Sequence, residues 1–530
     1  MNALKNATTS AKVLGAAGII RPYSPVVLTR LVKVVKKWGT GPAGGFASLA
    51  VRIPDQVGLI DELGELTWGE LHQRSNAVAH ELRKLGVGEG DSVAVMCRNH
   101  RGFLDATIGA SKLGADVLYL NTAFAGPQLV DVLAREKPSV VIHDQEFTDL
   151  LAAAPAVQRV VAWTDGEVDD ETLEGLIARG SREDLDPPDS HTRIVILTSG
   201  TTGTPKGAPR KEAGIPAAVS LLSRMPLRSG WRTHIAAPLF HTWGFAHLAL
   251  AMLLGSTVVL RRRFEPEEFL ATAAKHRCDS LVVIPVMLQR ALQLPQQTLD
   301  SYDLSSVKVV AASGSALPGD LGIAWMDQFG DNLYNIYGST EVAYASIATP
   351  TDIRLAPGSA GRPPHATVVR IFDDHGREVP PGQTGRIFVG NGLLFEGYTG
   401  GGSKEMIDGL MSSGDVGRFD SAGRLYVEGR DDEMIVSGGE NVFPKEVEDC
   451  LVRHPGVVEA AAIGVDDNEF GKRLRAFVVL TEGDAPTEDD LRDWVKTNLA
   501  RFKVPRDFVF IDELPRNATG KILKRHLAAD

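Results

Sequence analysis

The alternation of short apolar runs with helix-length segments constrains the fold of this chain more strongly than any other feature. Runs rich in valine, isoleucine and leucine recur between about residues 55 and 430. Examples are residues 91–97, 139–144, 193–199, 256–260, 279–285 and 307–313. Strands buried on both faces of a parallel sheet read as near-continuous apolar runs, and the helices between them cover those faces. We therefore predict an α/β fold with parallel sheets over this region.

Two later regions depart from that alternation. Glycine-punctuated strands over residues 366–428 indicate an antiparallel β section, and a new pattern begins after Arg430. The new pattern predicts a helix at 444–453, strands at 458–465 and 475–480, a helix at 488–500 and a strand at 507–511. We predict a large domain at 55–430, built from two sheets with flanking helices plus the antiparallel β section, and a small mobile α+β domain at 431–530. Residues 1–54 are predicted to be a basic amphipathic N-terminal extension.

That extension has an unusual charge. The 530-residue chain carries a net charge of −11, yet its first 54 residues hold eight basic residues and no acidic one. At roughly 100° per residue, residues 26–38 separate into two arcs. The apolar arc contains Val27, Leu28, Leu31, Val32, Val34, Val35 and Trp38, and the basic arc contains Arg30, Lys33, Lys36 and Lys37. Three interpretations are open: a helix docked on its own domain, a helix at a membrane surface, and an organelle transit peptide.

Composition excludes some classes of protein. A net acidic charge argues against nucleic acid as the main partner, because phosphate backbones require a positive surface. The three cysteines lie far apart, at Cys97, Cys278 and Cys450, which favours a reducing compartment. There is no apolar run of about 18 residues and no secretory signal. We predict a cytoplasmic protein, and we leave open peripheral contact with a membrane through residues 26–38 and the oligomeric state.

The strongest chemical signal is the segment Thr198–Gly207, which reads TSGTTGTPKG directly after an apolar run. Its glycines let backbone N–H groups turn toward an anion, its hydroxyls add donors, and Lys206 adds a positive charge. Lys206 is preceded by proline and followed by glycine, so the segment is not a Walker loop. We predict a cradle for a polyphosphate.

Together with further motifs, this segment resembles the acyl-adenylate-forming superfamily, which includes acyl-CoA synthetases, adenylation domains of peptide synthetases and luciferases. The other motifs follow in the family's order: Pro238–His241, Ser313–Pro318, Tyr337–Glu341, Ser413–Asp415, Gly429–Asp432, Ser437–Val442 and Pro515–Lys521. The resemblance covers about residues 60 to 525. Within the superfamily, the chain looks most like fatty-acid–CoA ligases. The resemblance implies ATP, Mg²⁺ and coenzyme A as cofactor and co-substrates.

The resemblance also implies roles for individual residues. The catalytic set is Lys521, Glu341, Thr198 and Lys206, with Thr198 and Glu341 on the side of the metal ion. The nucleotide-binding set is Thr198, Ser199, Gly200, Thr201, Thr202, Gly203, Gly314, Ser315, Tyr337, Gly338, Thr340, Asp415 and Arg430. The substrate side is His241, Trp243, His247, Ser313 and Ile336; the coenzyme A tunnel is Gly438, Gly439 and Glu440; the hinge is Asp432. A hydroxyl and a carboxylate suit Mg²⁺, and a lysine offsets the negative charge that develops when a carboxylate attacks a phosphate.

The implied reaction is activation of a carboxylic acid to acyl-AMP with release of pyrophosphate, followed by transfer to coenzyme A. We expect a medium- or long-chain fatty acid, because the apolar cast of the substrate side and the basic N-terminal helix favour a lipophilic acid. The substrate side also lacks the aspartate with which amino-acid-adenylating relatives hold an ammonium group. An aryl-acid CoA ligase, a fatty acyl-AMP ligase that loads a carrier protein, and a non-catalytic relative are the alternatives. A serine hydrolase is excluded because no GxSxG segment is present.

Overall fold

The structure is a computed structural model. It describes residues 3–527 apart from 125, 155, 199–205, 208–213, 340, 396, 398–402, 434, 438–439, 468–470, 482, 484 and 518–519. At residues 3–5, 198, 206–207, 432, 436–437, 440–441, 471 and 502 it describes the backbone element only.

Helices follow strands throughout the first two thirds of the chain. The helices are α1 (Ala3–Ala16), α2 (Pro25–Trp38), α3 (Pro42–Arg52), α4 (Trp68–Lys84), α5 (Arg101–Lys112), α6 (Gly126–Glu136), α7 (Thr148–Leu151), α8 (Leu173–Arg179), α9 (Ile215–Leu222), α10 (Thr242–Leu254), α11 (Pro266–Lys275), α12 (Pro285–Leu292), α13 (Gln296–Ser301), α14 (Gly319–Phe329), α15 (Pro350–Leu355), α16 (Pro444–Val452), α17 (Glu488–Asn498) and α18 (Lys524–Leu527). Short 3₁₀ turns span Gln145–Phe147, Asp431–Glu433 and Arg501–Lys503.

The strands are β1 (Val57–Asp61), β2 (Gly64–Thr67), β3 (Ser92–Met96), β4 (Asp116–Tyr119), β5 (Val140–Asp144), β6 (Gln158–Trp163), β7 (Ile194–Thr198), β8 (Lys206–Gly207), β9 (Arg232–Ile235), β10 (Thr257–Val259), β11 (Ser280–Val283), β12 (Val309–Ala312), β13 (Leu333–Tyr337), β14 (Ser346–Ala348), β15 (Val368–Phe372), β16 (Gly385–Gly390), β17 (Met406–Ile407), β18 (Leu410–Phe419), β19 (Leu425–Arg430), β20 (Ile435–Ser437), β21 (Glu440–Val442), β22 (Val457–Asp467), β23 (Gly471–Leu480) and β24 (Asp507–Phe510). Every apolar run singled out in the sequence contains one of them.

Two mostly parallel sheets form the large domain. One has the strand order β14-β13-β12-β11-β9-β10-β1-β2, and the other has the order β6-β5-β3-β4-β7-β8. Only the edge strands β2, β14 and β8 pair antiparallel to their neighbours. Strands β15 to β19 form the antiparallel section. The predicted α/β class, with its antiparallel section, is confirmed.

The small domain has a core of its own. Strands β22, β23 and β24 form a three-stranded sheet; helix α16 packs against β22, and α17 packs against α16. Its buried apolar residues begin at Ile435, whereas β19 of the large domain ends at Arg430. The domain limits at 430 and 431 remain predictions, supported by this change of core.

The N-terminal helices pack onto the large domain. Helix α2 begins at Pro25 after Ser24, whose hydroxyl accepts a hydrogen bond from the backbone N–H of Val27, as expected of an N-cap. Trp38 is buried, and Phe46 and Leu49 of α3 lie in the core of the large domain. Helices α1, α2 and α3 are therefore joined to that domain by packing.

The apolar arc of α2 is divided between the core and the solvent. Val34 packs against the core, whereas Val32 is 67% exposed. Leu28 and Val35 are exposed as well. Docking on the domain therefore accounts for one half of the arc, and the other half forms an apolar surface bordered by lysines.

The cysteines and the apolar character of the helices also bear on the sequence analysis. All three cysteines are buried free thiols. No helix in the described part of the chain combines the length and the apolar character that crossing a bilayer requires.

Candidate active site

A large cavity lies between the two sheets, the antiparallel section and the small domain. Its volume is about 2370 Å³, well above the roughly 300–1,000 Å³ of an ordinary small-molecule pocket. Tyr337 lies at the carboxyl end of β13, and Ser313 directly follows β12; both side chains line the cavity. The carboxyl ends of parallel strands are where α/β sheets bind their ligands.

Tyr337, Asp415 and Arg430 form a polar network on the cavity wall. The Tyr337 hydroxyl donates to Oδ2 of Asp415 at 2.5 Å, and Nη1 of Arg430 lies 3.5 Å from Oδ1. Burial raises the pKa of the Asp415 carboxyl, and the positive charge of Arg430 offsets part of that rise. Gly414 adopts φ 79°, and a Cβ there would lie 3.2 Å from the Arg430 guanidinium. The glycine therefore leaves room for Arg430 to lie beside Asp415.

Lys521 reaches the same cavity from the small domain. It is held in a turn in which its backbone N–H donates to Oδ1 of Asn517 at 2.9 Å. The neighbouring Gly520 packs against the large domain, where its Cβ position is 2.9 Å from Cγ1 of Val286. The charge of Lys521 also helps to lower the pKa of Asp415. The structure thus brings together a lysine and an aspartate that are more than 100 positions apart in the sequence.

The segment around Gly338 is shaped by close backbone contact. A Cβ on Gly338 would lie 2.1 Å from the carbonyl oxygen of Ala343, a distance no side chain tolerates, so only glycine fits. The turn presents Glu341 to the cavity, which Gly314 and Ser315 also line. Four of the predicted nucleotide and metal residues therefore lie on one wall.

The predicted substrate-side residues divide into two groups. His241, Trp243, Ser313 and Ile336 line the cavity. His247 does not: it is buried behind Trp243, with ring centroids 4.0 Å apart. The expectation that His247 lies on the substrate side is therefore wrong. Trp243 and His247 are one helical turn apart, but of the two only Trp243 lines the cavity.

His241 begins helix α10. Its Nδ1 accepts a hydrogen bond from the backbone N–H of Trp243 at 3.4 Å, so the histidine acts as an N-cap. Burial lowers the pKa of His241 to about 4. The imidazole is therefore neutral at physiological pH and lines the cavity without a charge.

Several predicted residues lie outside the described residues. These are Ser199, Gly200, Thr201, Thr202, Gly203, Thr340, Gly438 and Gly439. For Thr198, Lys206, Asp432 and Glu440 the structure gives the backbone element only: β7, β8, the 3₁₀ turn Asp431–Glu433 and β21. Their roles remain predictions, as do the roles of the residues placed above.

The sequence analysis missed the wall that extends beyond Trp243. One face of α10, together with α9 and the N-terminal helices, continues the cavity away from the nucleotide residues. The lining residues are Phe245, Ala246, Ala249, Leu250 and Leu253 of α10, Ile215 and Leu221 of α9, and Ile19, Tyr23, Leu31, Val35 and Arg52. The spacing of Phe245, Ala249 and Leu253 by four residues was a usable signal, but the part played by residues 19–52 required the tertiary structure.

A second cluster of polar side chains has a structural role. Cys97, His100 and Asp144 place potential ligand atoms within 4.8 Å of one another in the interior. However, Nε2 of His100 lies 2.8 Å from Oδ1 of Asp144, and Nδ1 accepts from the N–H of Gly102. The second oxygen of Asp144 accepts from the N–H of Arg98. These hydrogen bonds occupy the histidine and carboxylate atoms that a metal would need, and they tie β3 to β5.

A two-domain enzyme that closes a lysine-bearing loop over a nucleotide-sized cavity has the architecture of an adenylate-forming ligase. Residues 46–399 match the model of the AMP-binding enzyme family, and residues 446–521 match that of the AMP-binding enzyme C-terminal domain. The chain belongs to the AMP-binding enzyme family.

Several named relatives can be aligned with nearly the whole chain. A feruloyl-CoA synthase from Amycolatopsis is 35% identical over 87% of this chain and 92% of its own length. An indoleacetate–CoA ligase from Aromatoleum aromaticum is 32% identical over 90% and 93%. The crystal structure of an anthranilate CoA ligase with anthranoyl-AMP superposes with a TM-score of 0.82, at 27% identity, over 92% and 96%. This protein is an AMP-forming acid–thiol ligase, which uses ATP to form an acyl-adenylate and coenzyme A to accept the acyl group.

Proposed function

We propose that the acid is long and lipophilic, a medium- or long-chain fatty acid. The observation that carries this proposal is the apolar extension of the cavity along α10. Thirteen residues of helix rise by roughly 20 Å, from His241 at the reacting end to Gly255 at the far end. Ala246 and Ala249 leave space along this path, and Leu250 and Leu253 line it. Each methylene buried there contributes about 0.8 kcal/mol to binding, so the affinity for the acid is expected to increase with its chain length.

The first half-reaction needs charge neutralisation, because a carboxylate must attack an α-phosphate. We assign to Lys521 the bridge between these two anions, to Asp415 the ribose hydroxyls, and to Tyr337 a face for adenine. The residues present also fit Mg²⁺: the Glu341 carboxylate lines the cavity, and oxygen ligands suit a hard cation. When bound, Mg²⁺ would offset charge on the departing pyrophosphate.

The second half-reaction requires Lys521 to leave and a channel for the pantetheine arm to form. We assign the pivot to Asp432, which lies in the 3₁₀ turn between the two cores. Rotation there would bring in the hairpin β20–β21, which carries Gly438, Gly439 and Glu440. A hinge of a few residues is enough for such an exchange.

Two other assignments have support of their own. An aryl acid is favoured by the names of the relatives, since feruloyl-, indoleacetate- and anthranilate-specific ligases are among them. Transfer to a carrier protein is favoured by a fatty acid–[acyl-carrier-protein] ligase from Streptomyces coeruleorubidus, which is 29% identical. Acid-dependent ATP–pyrophosphate exchange over a panel of fatty and aryl acids, followed by offering acyl-AMP either coenzyme A or a carrier protein, distinguishes the three.

Replacing Ala249 with phenylalanine is expected to shorten the cavity. Its Cβ lies about two turns along α10 from His241, so the ring would block the path of a long chain but not of a short one. We expect kcat/KM for a long-chain acid to fall by at least tenfold, since several methylenes lose their site. Values for short-chain and aryl acids should stay within threefold.

Ala249→Val serves as the graded control, with a smaller loss that appears only at the longest chains. A thermal midpoint close to that of the unmodified protein would separate blocking from unfolding. A uniform loss for acids of every length, or a preference for aryl acids in the unmodified protein, would contradict the fatty-acid proposal.

We also propose that the exposed half of α2 lies on a membrane surface that carries anionic lipid. Its apolar face is formed by Leu28, Val32 and Val35, and Lys36 and Lys33 follow this face around the helix. Apolar residues enter the interfacial region of the membrane while basic residues contact anionic headgroups, so hydrophobic burial and electrostatic attraction both contribute to binding. The same helix lines the cavity through Leu31 and Val35, which would place the acyl cavity next to the lipid.

The double substitution Leu28→Ser, Val32→Ser is expected to weaken binding to phosphatidylserine-containing vesicles by about tenfold or more. Leu28 is 49% exposed and Val32 is 67% exposed, so the free energy of unfolding should change by less than about 0.5 kcal/mol per site. Leu355→Ser is the matched control, because Leu355 is 70% exposed on α15. Vesicle sedimentation measures the effect, and equal binding by the double variant and the unmodified protein would remove the membrane proposal.

A further inference from the structure

Arg52 is an unusual lining residue for an apolar cavity. It ends helix α3, and its Nη2 lies 3.3 Å from the Cβ position of Gly255, the residue that caps the far end of α10. His241 caps the near end of the same helix. Both residues line one cavity, so a guanidinium lies roughly 20 Å from the reacting end.

The guanidinium of Arg52 has no carboxylate partner in the described part of the chain. Its contacts are with the ring of Tyr23, 5.7 Å from the centroid, and with the Tyr23 hydroxyl. Its Nε is buried without a hydrogen-bond partner among the described residues. Burial lowers the pKa of Arg52, and the nearby charge of Arg21 adds to that effect. A buried cation is stabilised most by an anion that pairs with it.

We infer that Arg52, with Tyr23, forms a subsite for a carboxylate at the distal end of the acid. This inference rests on the proposed function, because it gives the elongated acid a second polar end. The preferred substrate class is then an α,ω-dicarboxylic acid whose length spans the cavity, activated at one end and held by Arg52 at the other. A guanidinium fork binds a carboxylate through two parallel hydrogen bonds. The apolar walls between His241 and Arg52 hold the methylene chain.

A structural role for Arg52 is the competing explanation. A positive charge at the carboxyl end of α10 also stabilises that helix through its dipole. Such a role would affect the folding of the protein and all acids equally, whereas a subsite affects only acids that carry a distal anion. Substrate selectivity therefore separates the two roles.

The test compares monocarboxylic acids with α,ω-dicarboxylic acids of matched length in ATP–pyrophosphate exchange. For the full-length protein, we expect the dicarboxylic acid to be preferred by at least tenfold in kcat/KM at the length that spans the cavity, and not at short lengths. Arg52→Met should abolish this preference and leave the monocarboxylic acid within threefold. Arg52→Lys should retain part of the preference, and Tyr23→Phe should reduce it.

Arg30→Met is the charge-matched control, because Arg30 is exposed on α2 and does not line the cavity. The preference should survive this change. Equal use of both acids by the unmodified protein overturns the subsite, as does an equal loss for both acids in Arg52→Met with a lowered thermal midpoint. Adenylation of aryl acids alone would refute the fatty-acid proposal. Equal use of the paired monocarboxylic and dicarboxylic acids would refute only the Arg52 subsite, so the two failures can be distinguished.

Discussion

Replacing Lys521 with alanine is expected to lower the rate of acyl-adenylate formation by roughly 100- to 1,000-fold, the cost of removing one preorganised partner of developing negative charge. Lys521 lines the cavity on the same side as Asp415, whose pKa it helps to lower. No other role is expected of it in the second half-reaction. Thioester formation from supplied acyl-AMP should therefore stay within a few-fold of the unmodified rate.

The measurement is the pair of rates, with pyrophosphate exchange for the first step and coenzyme A consumption for the second. Lys496→Ala is the matched control, because Lys496 lies on α17 of the same small domain, away from the cavity. It should leave both rates unchanged. Equal loss of both steps in Lys521→Ala would show that the lysine supports the fold or the domain arrangement rather than adenylation.

Replacing Asp415 with alanine is expected to raise the KM for ATP by roughly 10- to 100-fold, since a hydrogen bond to a charged group contributes about 1.5–3 kcal/mol. The carboxylate is held by Tyr337 at 2.5 Å and faces Arg430 at 3.5 Å. Its loss would remove the partner of the ribose hydroxyls and leave Arg430 without this neighbour.

Deoxy nucleotides make this test specific. The unmodified protein should discriminate against 2′-deoxy- or 3′-deoxy-ATP, and Asp415→Ala should lose most of that discrimination. Tyr337→Phe should fall between the two, because the ring remains while the hydrogen bond to Asp415 is lost. Asp374→Ala, at an exposed position of the antiparallel section, is the control. A persistent preference for ATP over its deoxy forms in Asp415→Ala would exclude Asp415 as the ribose partner.

Much of the fold could be predicted because its signals are local. The run at 279–285 contains β11, the run at 307–313 contains β12, and residues 444–453 contain α16. In each case the apolar pattern reports burial, which is a property of a short segment.

The prediction for α2 shows where local reasoning ends. The sequence correctly predicts a helix with apolar and basic arcs, but all seven apolar residues look equivalent on a helical wheel. In the structure Val34 contacts the core while Val32 is exposed. The difference depends on which side of the helix meets the rest of the large domain. His247 was misplaced for the same reason, since Trp243 fills the space between it and the cavity.

By itself the sequence determined the α/β class, the separate small domain, and the motifs that bring the chain into its family, because strand burial and glycine-rich turns are encoded in neighbouring residues. Only the tertiary structure decided that Lys521 and Asp415 line one cavity, and that Arg52 lines it beside the end of α10 opposite His241. Those relations join residues that are more than 100 positions apart in the sequence. They arise from packing between sheets, helices and domains, which no short stretch of sequence records.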